Sequence, residues 1–426
     1  MTPSRNNAAS KPRLVILNQY YVPDVASTGH LLHELAGELA AQGWDVSVIT
    51  SRPSYGPRES WQPAPRKEVL DGVRVHRMWT TRFSKDNLLG RACNYLSFFG
   101  QLAMRMLLGS NKSVVYLYTT NPPFLGAIGA FVSLFRRHRY VMLLHDAYPQ
   151  LAVWVGTIRA GGVIERAWHA VNRFSYGRAD QTIVLCRAAR RLLAGAYRVA
   201  EERVHVIPNW ADRTKLVPVP KARTELAKAH GVVDHFTVLY SGNLGLYYEF
   251  ETVLGAAERL ASEDFRLVFI GSGGRKQWIA EQIRQRGLTN TRILPYQPFE
   301  RLNDSLNACD ASLVTIAKGI EGISFPSKLY SSLAVGKPIV ALSEEQSELR
   351  ELVRDYDLGV WAALGDAEGL AKGVRGLMND PKHAARQGEN CRRLFEERYT
   401  RSIAAKSYGD VFKLADPRLR RGGEGA

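Results

Sequence analysis

Glu321, Gly322, Pro326 and Lys328 stand within the segment EGISFPSK, followed by a helix-like run, Gly336 and the apolar stretch PIVAL. Each residue type has a use here. A carboxylate such as Glu321 accepts hydroxyl hydrogen bonds. Gly322 lets the backbone approach a ligand closely. Pro326 suits a first helical turn because it has no N–H to leave unpaired. The N–H groups that follow, with Lys328, then make an anion site. Ile323, Ser324 and Ser327 belong to the same loop, and Ser331 lies one turn on. Hydroxyls beside phosphates are what a sugar linked to a nucleotide diphosphate presents.

Other candidates sit where strands end in glycine or polar turns. YSGN carries Gly242 and Asn243, and FIGSGGRK carries Gly271, Gly273, Arg275 and Lys276. His145 and Asp146 follow the apolar run VMLL, at the carboxyl end of a strand, where α/β sites occur. Gly29 opens a helix and is a candidate for close approach to a phosphate or acceptor. His30 and His33 read as surface or packing residues of that helix.

The elements that must hold these residues alternate. LVILNQYY reads as a strand, and a helix from near Thr28 carries Leu31, Leu35 and Leu39 on one face. Gly43 stops it, and VSVIT is the next strand. That is a βαβ unit and predicts a parallel sheet. Further strands are expected at 114–119, 140–145, 181–186 and 204–209. After the connector LVPVPK the pattern restarts, with strands at 236–243, 265–270, 311–316 and 338–342 and a helix over 275–286. The fold class is α/β, with two Rossmann-like, doubly wound parallel-sheet domains facing across a cleft. The expected division is 1–215, 216–395, a C-terminal helix at 396–415 packing back on the first domain, and a disordered tail at 416–426.

With YSGNLG, FIGSGG and IPNW, the Glu321–Leu342 segment resembles the retaining family 4 glycosyltransferases of GT-B fold. The likeness is greatest to the branch that builds bacterial surface polysaccharides. QYYVPD, the AST-Gly loop ending at Gly29, TTNPP and HDAYP resemble the same branch, in order, over roughly residues 12–410. The resemblance implies a nucleotide-sugar donor in the second domain, with its base near Gly271–Lys276. It places the diphosphate at Gly242–Asn243, Lys328 and the helix from Pro326. Glu321 would hold sugar hydroxyls, with His145 and Asp146 near the transferred sugar. The family's ribose-binding glutamate falls five residues after the proline, and here that position is Ser331; Glu344, Glu345 and Glu348 are alternatives. The Arg/Lys pair of the first glycine turn is absent, since Leu244–Tyr248 holds no base. Arg275 and Lys276 are possible helpers. No cofactor and no metal are expected.

Composition excludes several classes. The four cysteines show no ligand spacing, so neither a disulfide framework nor a zinc site is expected. No apolar run approaches the ~20 residues a spanning helix needs, and no secretory signal is read, so a cytoplasmic protein is expected. The net charge of +16 is uneven: residues 1–215 carry 28 Lys/Arg against 14 Asp/Glu, and residues 216–426 carry 29 against 27. A basic first half suits an anionic membrane surface. Asn87–Leu108, apolar and aromatic, is open between burial and a bilayer interface, whereas Phe124–Arg139 reads as a buried helix ending in a basic cluster. The reading is a glycosyltransferase at the inner face of the cytoplasmic membrane, with a polyprenyl-diphosphate-linked glycan as acceptor. Its rivals are a nucleotide-sugar epimerase of the same scaffold and a basic nucleic-acid-binding protein. The second has only the charge in its favour, and no nucleic acid is expected as a partner.

Overall fold

The computed structural model describes residues 11–24, 26–54, 61–83, 88–109 and 111–420. Two compact units emerge. The first comprises the chain up to Leu185, Arg190–Ile207 and the chain from Ala405; the second comprises Cys186–Ala189 and Pro208–Ala404.

The first unit is built on eight strands: β1 (Arg13–Leu17), β2 (Asp45–Ser51), β3 (Lys67–Leu70), β4 (Val73–Met78), β5 (Val114–Thr119), β6 (Arg139–Leu144), β7 (Gln181–Val184) and β8 (Val204–Val206). Their order across the sheet is β3-β4-β2-β1-β5-β6-β7-β8. All neighbours are parallel except β3 and β4, which pair antiparallel. Helices α1 (Ser27–Ala41), α2 (Leu88–Gly109) and α3 (Leu125–Phe135) are among the crossovers. Strand β5, VVYLYT, is buried at every residue, as a parallel strand covered on both faces should be. Strands β3 and β4 were not read from the sequence. Their signal was present in VLDGVRV, where Asp71 (φ 48°) and Gly72 (φ 78°) make the turn that Asp-Gly favours in a hairpin.

The second unit has β9 (Phe236–Ser241), β10 (Phe265–Ile270), β11 (Thr291–Leu294), β12 (Ala311–Thr315), β13 (Ile339–Ser343) and β14 (Gly359–Ala363). Their order is β11-β10-β9-β12-β13-β14 and all are parallel. Leu254, Phe269, Leu313 and Leu370 are among its core residues. Strands β11 and β14 were also missed, because TRIL and GVWAA are too short and too mixed to separate from loop.

Chain order reverses between β1 and β5 in one sheet and between β9 and β12 in the other. Beyond the carboxyl ends of strands at such a switch point, crossovers leave on opposite faces and open a crevice. Near its end the chain joins the first unit: Phe412, in the helix Arg401–Ala415, packs edge-on against Trp44 with ring centroids 5.6 Å apart. The expected disordered tail needs correction over 416–420. Pro417–Arg420 is helical, and Arg418 bonds the buried Asp416, so an ion pair orders this stretch. The rest of that expectation, 421–426, lies outside the described residues.

Candidate functional site

In the second unit, two glycine turns meet at the switch point. Ser241 ends β9, and the Gly242 N–H donates to Ile270 O (2.8 Å). The Leu244 N–H donates to Ser272 O and the Arg275 N–H to Leu244 O, both at 2.9 Å. Gly271 has φ 144°, and a Cβ there would lie 1.9 Å from Gly242 O. No side chain fits between these two turns. Gly273 is equally confined, since its Cβ would lie 2.4 Å from Asn243 Oδ1. Gly242, Asn243, Gly271 and Gly273 are therefore contiguous in space. Arg275 lies over the Trp278 ring at 4.9 Å, next to Lys276, which starts the following helix.

Lys328 reaches this same point from the far side of the switch. A Cβ on Gly242 would lie 2.9 Å from Lys328 Cε. Its Nζ stands 3.9 Å from the Tyr248 ring centroid and 4.8 Å from that of Tyr240. Burial of the ammonium lowers its pKa to about 7, because two aromatic faces offer less than the hydration they displace. The Tyr240 hydroxyl donates to Asn243 O (2.7 Å), tying the cage to the turn. Tyr248 was not singled out from the sequence, although it sits where the missing Arg/Lys pair was sought. An aromatic holding a lysine leaves no trace in charge pattern.

The loop before Lys328 corrects one expectation. Pro326 does not open the helix. Helix Lys328–Ala334 begins two residues later, with Ser327 at the N-cap position and no side-chain capping bond. The Ile323 and Ser324 N–H groups both return to Ile320 O, and those of Leu329 and Tyr330 close on Pro326 O and Ser327 O. Tight local turns thus engage amides that the sequence reading left for an anion. Ser331 Oγ donates to Lys328 O at 2.9 Å, within its own helix.

Glu321 Oε1 accepts from the Glu348 N–H (2.6 Å), at the start of helix Glu348–Asp355. Glu348 in turn accepts from the Arg187 N–H (2.8 Å), and the Arg187 guanidinium bonds Glu351. Gly322, with φ 84°, fits against Ala188, where a Cβ would come within 3.0 Å of the carbonyl carbon. The carboxylate is thus oriented by a helix start and the loop by a close backbone approach. Of the three alternative glutamates, Glu344 accepts from the Gly319 N–H (2.8 Å) and Glu348 is held by Arg187; Glu345 is exposed, with its carbonyl bonded to Arg350.

At the first unit's switch point most of the groups are uncharged, with Asp146 as a carboxylate among them. Thr119, ending β5, donates to Asn18 Oδ1 (2.7 Å), just past β1. Gln19 is buried and its Oε1 has no hydrogen-bond partner among the described residues. His145 follows β6. Its N–H donates to Thr120 Oγ1 (3.1 Å), and its buried Nε2 has no hydrogen-bond partner among the described residues. Burial lowers the ring pKa to about 4, so the imidazole is neutral at physiological pH. Asp146, half-buried, follows directly. Nearby, Tyr148 stacks on Trp168 (centroids 5.5 Å, 7° between planes), and Phe124 lies 4.4 Å from Trp168. Gly29 is buried, and its Cβ would meet Tyr20 O at 2.9 Å, so it brings α1 against the QYYVPD loop. His33 packs edge-on against Tyr21 and hydrogen-bonds its hydroxyl (3.2 Å), as a packing residue does, while His30 is exposed.

Comparison with known proteins agrees with this geometry. Residues 28–210 match the glycosyl transferase 4-like domain, and residues 222–394 match glycosyl transferases group 1. Probable glycosyltransferase WbjE of Pseudomonas aeruginosa is 24% identical over 84% of this chain and 88% of its own length. The putative colanic acid biosynthesis glycosyl transferase WcaI of Escherichia coli is 26% identical, over 87% and 93%. The structure of Anabaena HepE in complex with UDP superposes with a TM-score of 0.69 at 17% identity, covering 94% of this chain and 99% of that one. Two parallel-sheet domains of this kind make the GT-B fold. The chain is a glycosyltransferase, formed of a glycosyl transferase 4-like domain and a glycosyl transferases group 1 domain.

Proposed function

We propose that this enzyme moves a sugar, with retention of configuration, from a nucleotide-diphosphate donor to a lipid-linked glycan in bacterial surface polysaccharide synthesis. The observation that carries the donor reading is the meeting of the Gly242 turn, the Gly271–Gly273 turn and Lys328 Nζ at one switch point. HepE, of like fold, holds UDP-glucose. WcaI is named for colanic acid synthesis, which supports a polysaccharide product.

In this proposal the diphosphate lies against the Gly242–Asn243 turn, where a bare backbone permits contact. Lys328 Nζ takes up the negative charge that grows as the sugar–phosphate bond breaks. Because the turn lacks a second base, Lys328 carries most of that charge, with Arg275 and Lys276 nearest among the sequence candidates. Glu321, oriented by the Glu348 N–H, receives sugar hydroxyls. The acceptor hydroxyl attacks from the face the diphosphate leaves, and a phosphate oxygen takes its proton. No metal is used in this scheme. His145 Nε2 and Gln19 Oε1, buried and unpartnered, are the polar groups at the first unit's switch point that an acceptor or transferred sugar would satisfy.

Peripheral attachment to the cytoplasmic membrane is part of the same reading, supported by the excess of base in the first half. Among the described residues, no helix is long and apolar enough to cross a membrane. The donor reading is tested by thermal shift with UDP-, GDP- and dTDP-sugars. One of them should raise Tm, since a ligand that binds only the native state stabilises it. A sugar nucleotide epimerised without acceptor would overturn transfer in favour of the epimerase.

A further inference from the structure

We infer that Phe124, Tyr148 and Trp168, gathered at the carboxyl edge of the first sheet, form an aromatic subsite that takes the apolar face of a pyranose ring of the acceptor. This rests on the transferase reading above and names the chemistry by which the first unit recognises its acceptor.

Three elements deliver the rings. Phe124 lies five residues past β5 and Tyr148 four residues past β6, in adjacent loops tied by the bond from the His145 N–H to Thr120 Oγ1. Trp168 comes from helix Val163–Arg178, which packs beside α3 and leads into β7. Its plane lies 7° from that of Tyr148, and Phe124 closes on it at 35°, with centroids 4.4 Å apart. Asn172 stands one turn after Trp168 on the same helix face. It donates to Tyr148 O (2.5 Å) and to the Tyr197 hydroxyl (2.9 Å), so one helix holds both the Trp168 ring and the Tyr148 loop. Phe124 itself has φ 69°. A bulky side chain on left-handed backbone persists only where its surroundings hold it there, and such residues gather at functional sites.

Core packing does not account for the arrangement. Phe124 is 38% exposed, and Tyr148 and Trp168 are only half-buried. Phe124–Arg139 is therefore not the wholly buried helix expected from its apolar run: Ile128, Ala130 and Val132 of α3 are buried, but the ring that precedes them is exposed. The crevice that the three rings line is also edged by Thr119, Thr120 and Asn172. Thr120 Oγ1, accepting from the His145 N–H, keeps its own O–H to donate. Rings bordered by such groups suit a ligand that is apolar on one face and polar at its rim. A pyranose is that ligand: its C–H groups meet the negative face of an aromatic ring while its hydroxyls reach sideways to hydrogen-bonding partners. An isoprenoid chain makes no use of the polar rim. Tyr148 is three residues from His145, so their backbones lie within about 11 Å of each other. That is the span of a short saccharide, and a stacked ring can belong to the same glycan whose hydroxyl meets His145.

The test is saturation-transfer NMR on the full chain with the methyl pyranosides of glucose, galactose and mannose, and with farnesyl phosphate as the isoprenoid probe. Wild-type protein should saturate the C–H protons of one ring face in at least one pyranoside. Phe124→Ala should weaken that binding about fivefold, and Phe124→Tyr should restore it. Circular dichroism and the nucleotide-sugar thermal shift, which reports on the second unit, should be unchanged in both variants. Wild-type affinity in Phe124→Ala, saturation of no pyranoside, or saturation of farnesyl phosphate alone would overturn the aromatic subsite while leaving the transferase reading intact. Absence of any nucleotide-sugar shift in wild-type protein would remove the transferase reading on which the subsite rests.

Discussion

The two switch points of this enzyme are built from the same strand topology but from opposite chemistry. In the second unit the crevice is backbone and charge: glycine turns packed on each other, with one lysine held between tyrosine rings. In the first it is mainly neutral side chains, Asn18, Gln19, Thr119 and a deprotonated His145, beside the carboxylate of Asp146, with Gln19 Oε1 and His145 Nε2 buried and without a hydrogen-bond partner among the described residues. Under the proposed function the difference follows from what each would bind. A diphosphate is a fixed anion that a bare turn and one cation can hold. A sugar acceptor brings hydroxyls, which are matched one by one by neutral donors and acceptors.

The largest effect that would break this contrast is expected from Lys328. Lys328→Ala should lower transfer at least ~100-fold, the usual consequence of removing one preorganised charge contact. Near-normal turnover would show that the charge is carried elsewhere. Gly271→Ala is next. Its Cβ has no space against Gly242 O, and the residue has positive φ, so a loss of roughly 2–4 kcal/mol is expected. Denaturant unfolding would measure it, with donor-induced thermal shift lost in parallel. His145→Ala should cost about tenfold in transfer, one hydrogen bond's worth, with the donor thermal shift unchanged. A lost donor shift would mean that the two crevices are not chemically separate.

Titration sharpens the comparison. Lys328 has a folded pKa of about 7, below its unfolded value of 10.5. Between these values the unfolded state binds the extra proton, so stability rises with pH, by at most about 1.4 kcal/mol per pH unit. Below pH 7 the lysine is charged in both states and its burial penalty is fully present. Lys328→Met should flatten that slope in denaturant titrations from pH 7 to 10. A bound diphosphate favours the charged lysine, so donor binding near pH 8 should take up close to one proton; calorimetry in buffers of different ionisation enthalpy reads this directly. His145 acts in the same sense at lower pH: its pKa of about 4 against 6.5 unfolded means stability falls as pH drops from 6.5 to 4. The smallest expected effect is Tyr248→Leu, about fivefold weaker donor binding from one lost cation–π contact.

How much of this was legible varied with the kind of signal. Ten strands were placed because parallel strands buried on both faces read as apolar runs. The hairpin of β3 and β4 was missed despite its Asp-Gly turn, since polar residues alternate with its valines and break the continuous apolar run that marks the other strands. Gly242, Gly271, Gly273 and Lys328, which the fold brings together, were legible as candidates because glycines at strand ends and a lysine at a helix start stand out in a sequence. Tyr248 was not, because its role depends on a lysine eighty residues away. The helix start at Lys328, not Pro326, turned on local hydrogen bonds that no spacing rule reports.

The sequence by itself determined the two-unit α/β architecture, the position of the glycine turns and the lysine that the proposed diphosphate site would use. Period, turn chemistry and charge are local properties of a chain. Only the tertiary structure decided that Lys328 is desolvated between two tyrosines and that Glu321 is oriented by the start of helix Glu348–Asp355. Desolvation and convergence depend on what packing brings together across tens of residues, and the chain records that only when folded.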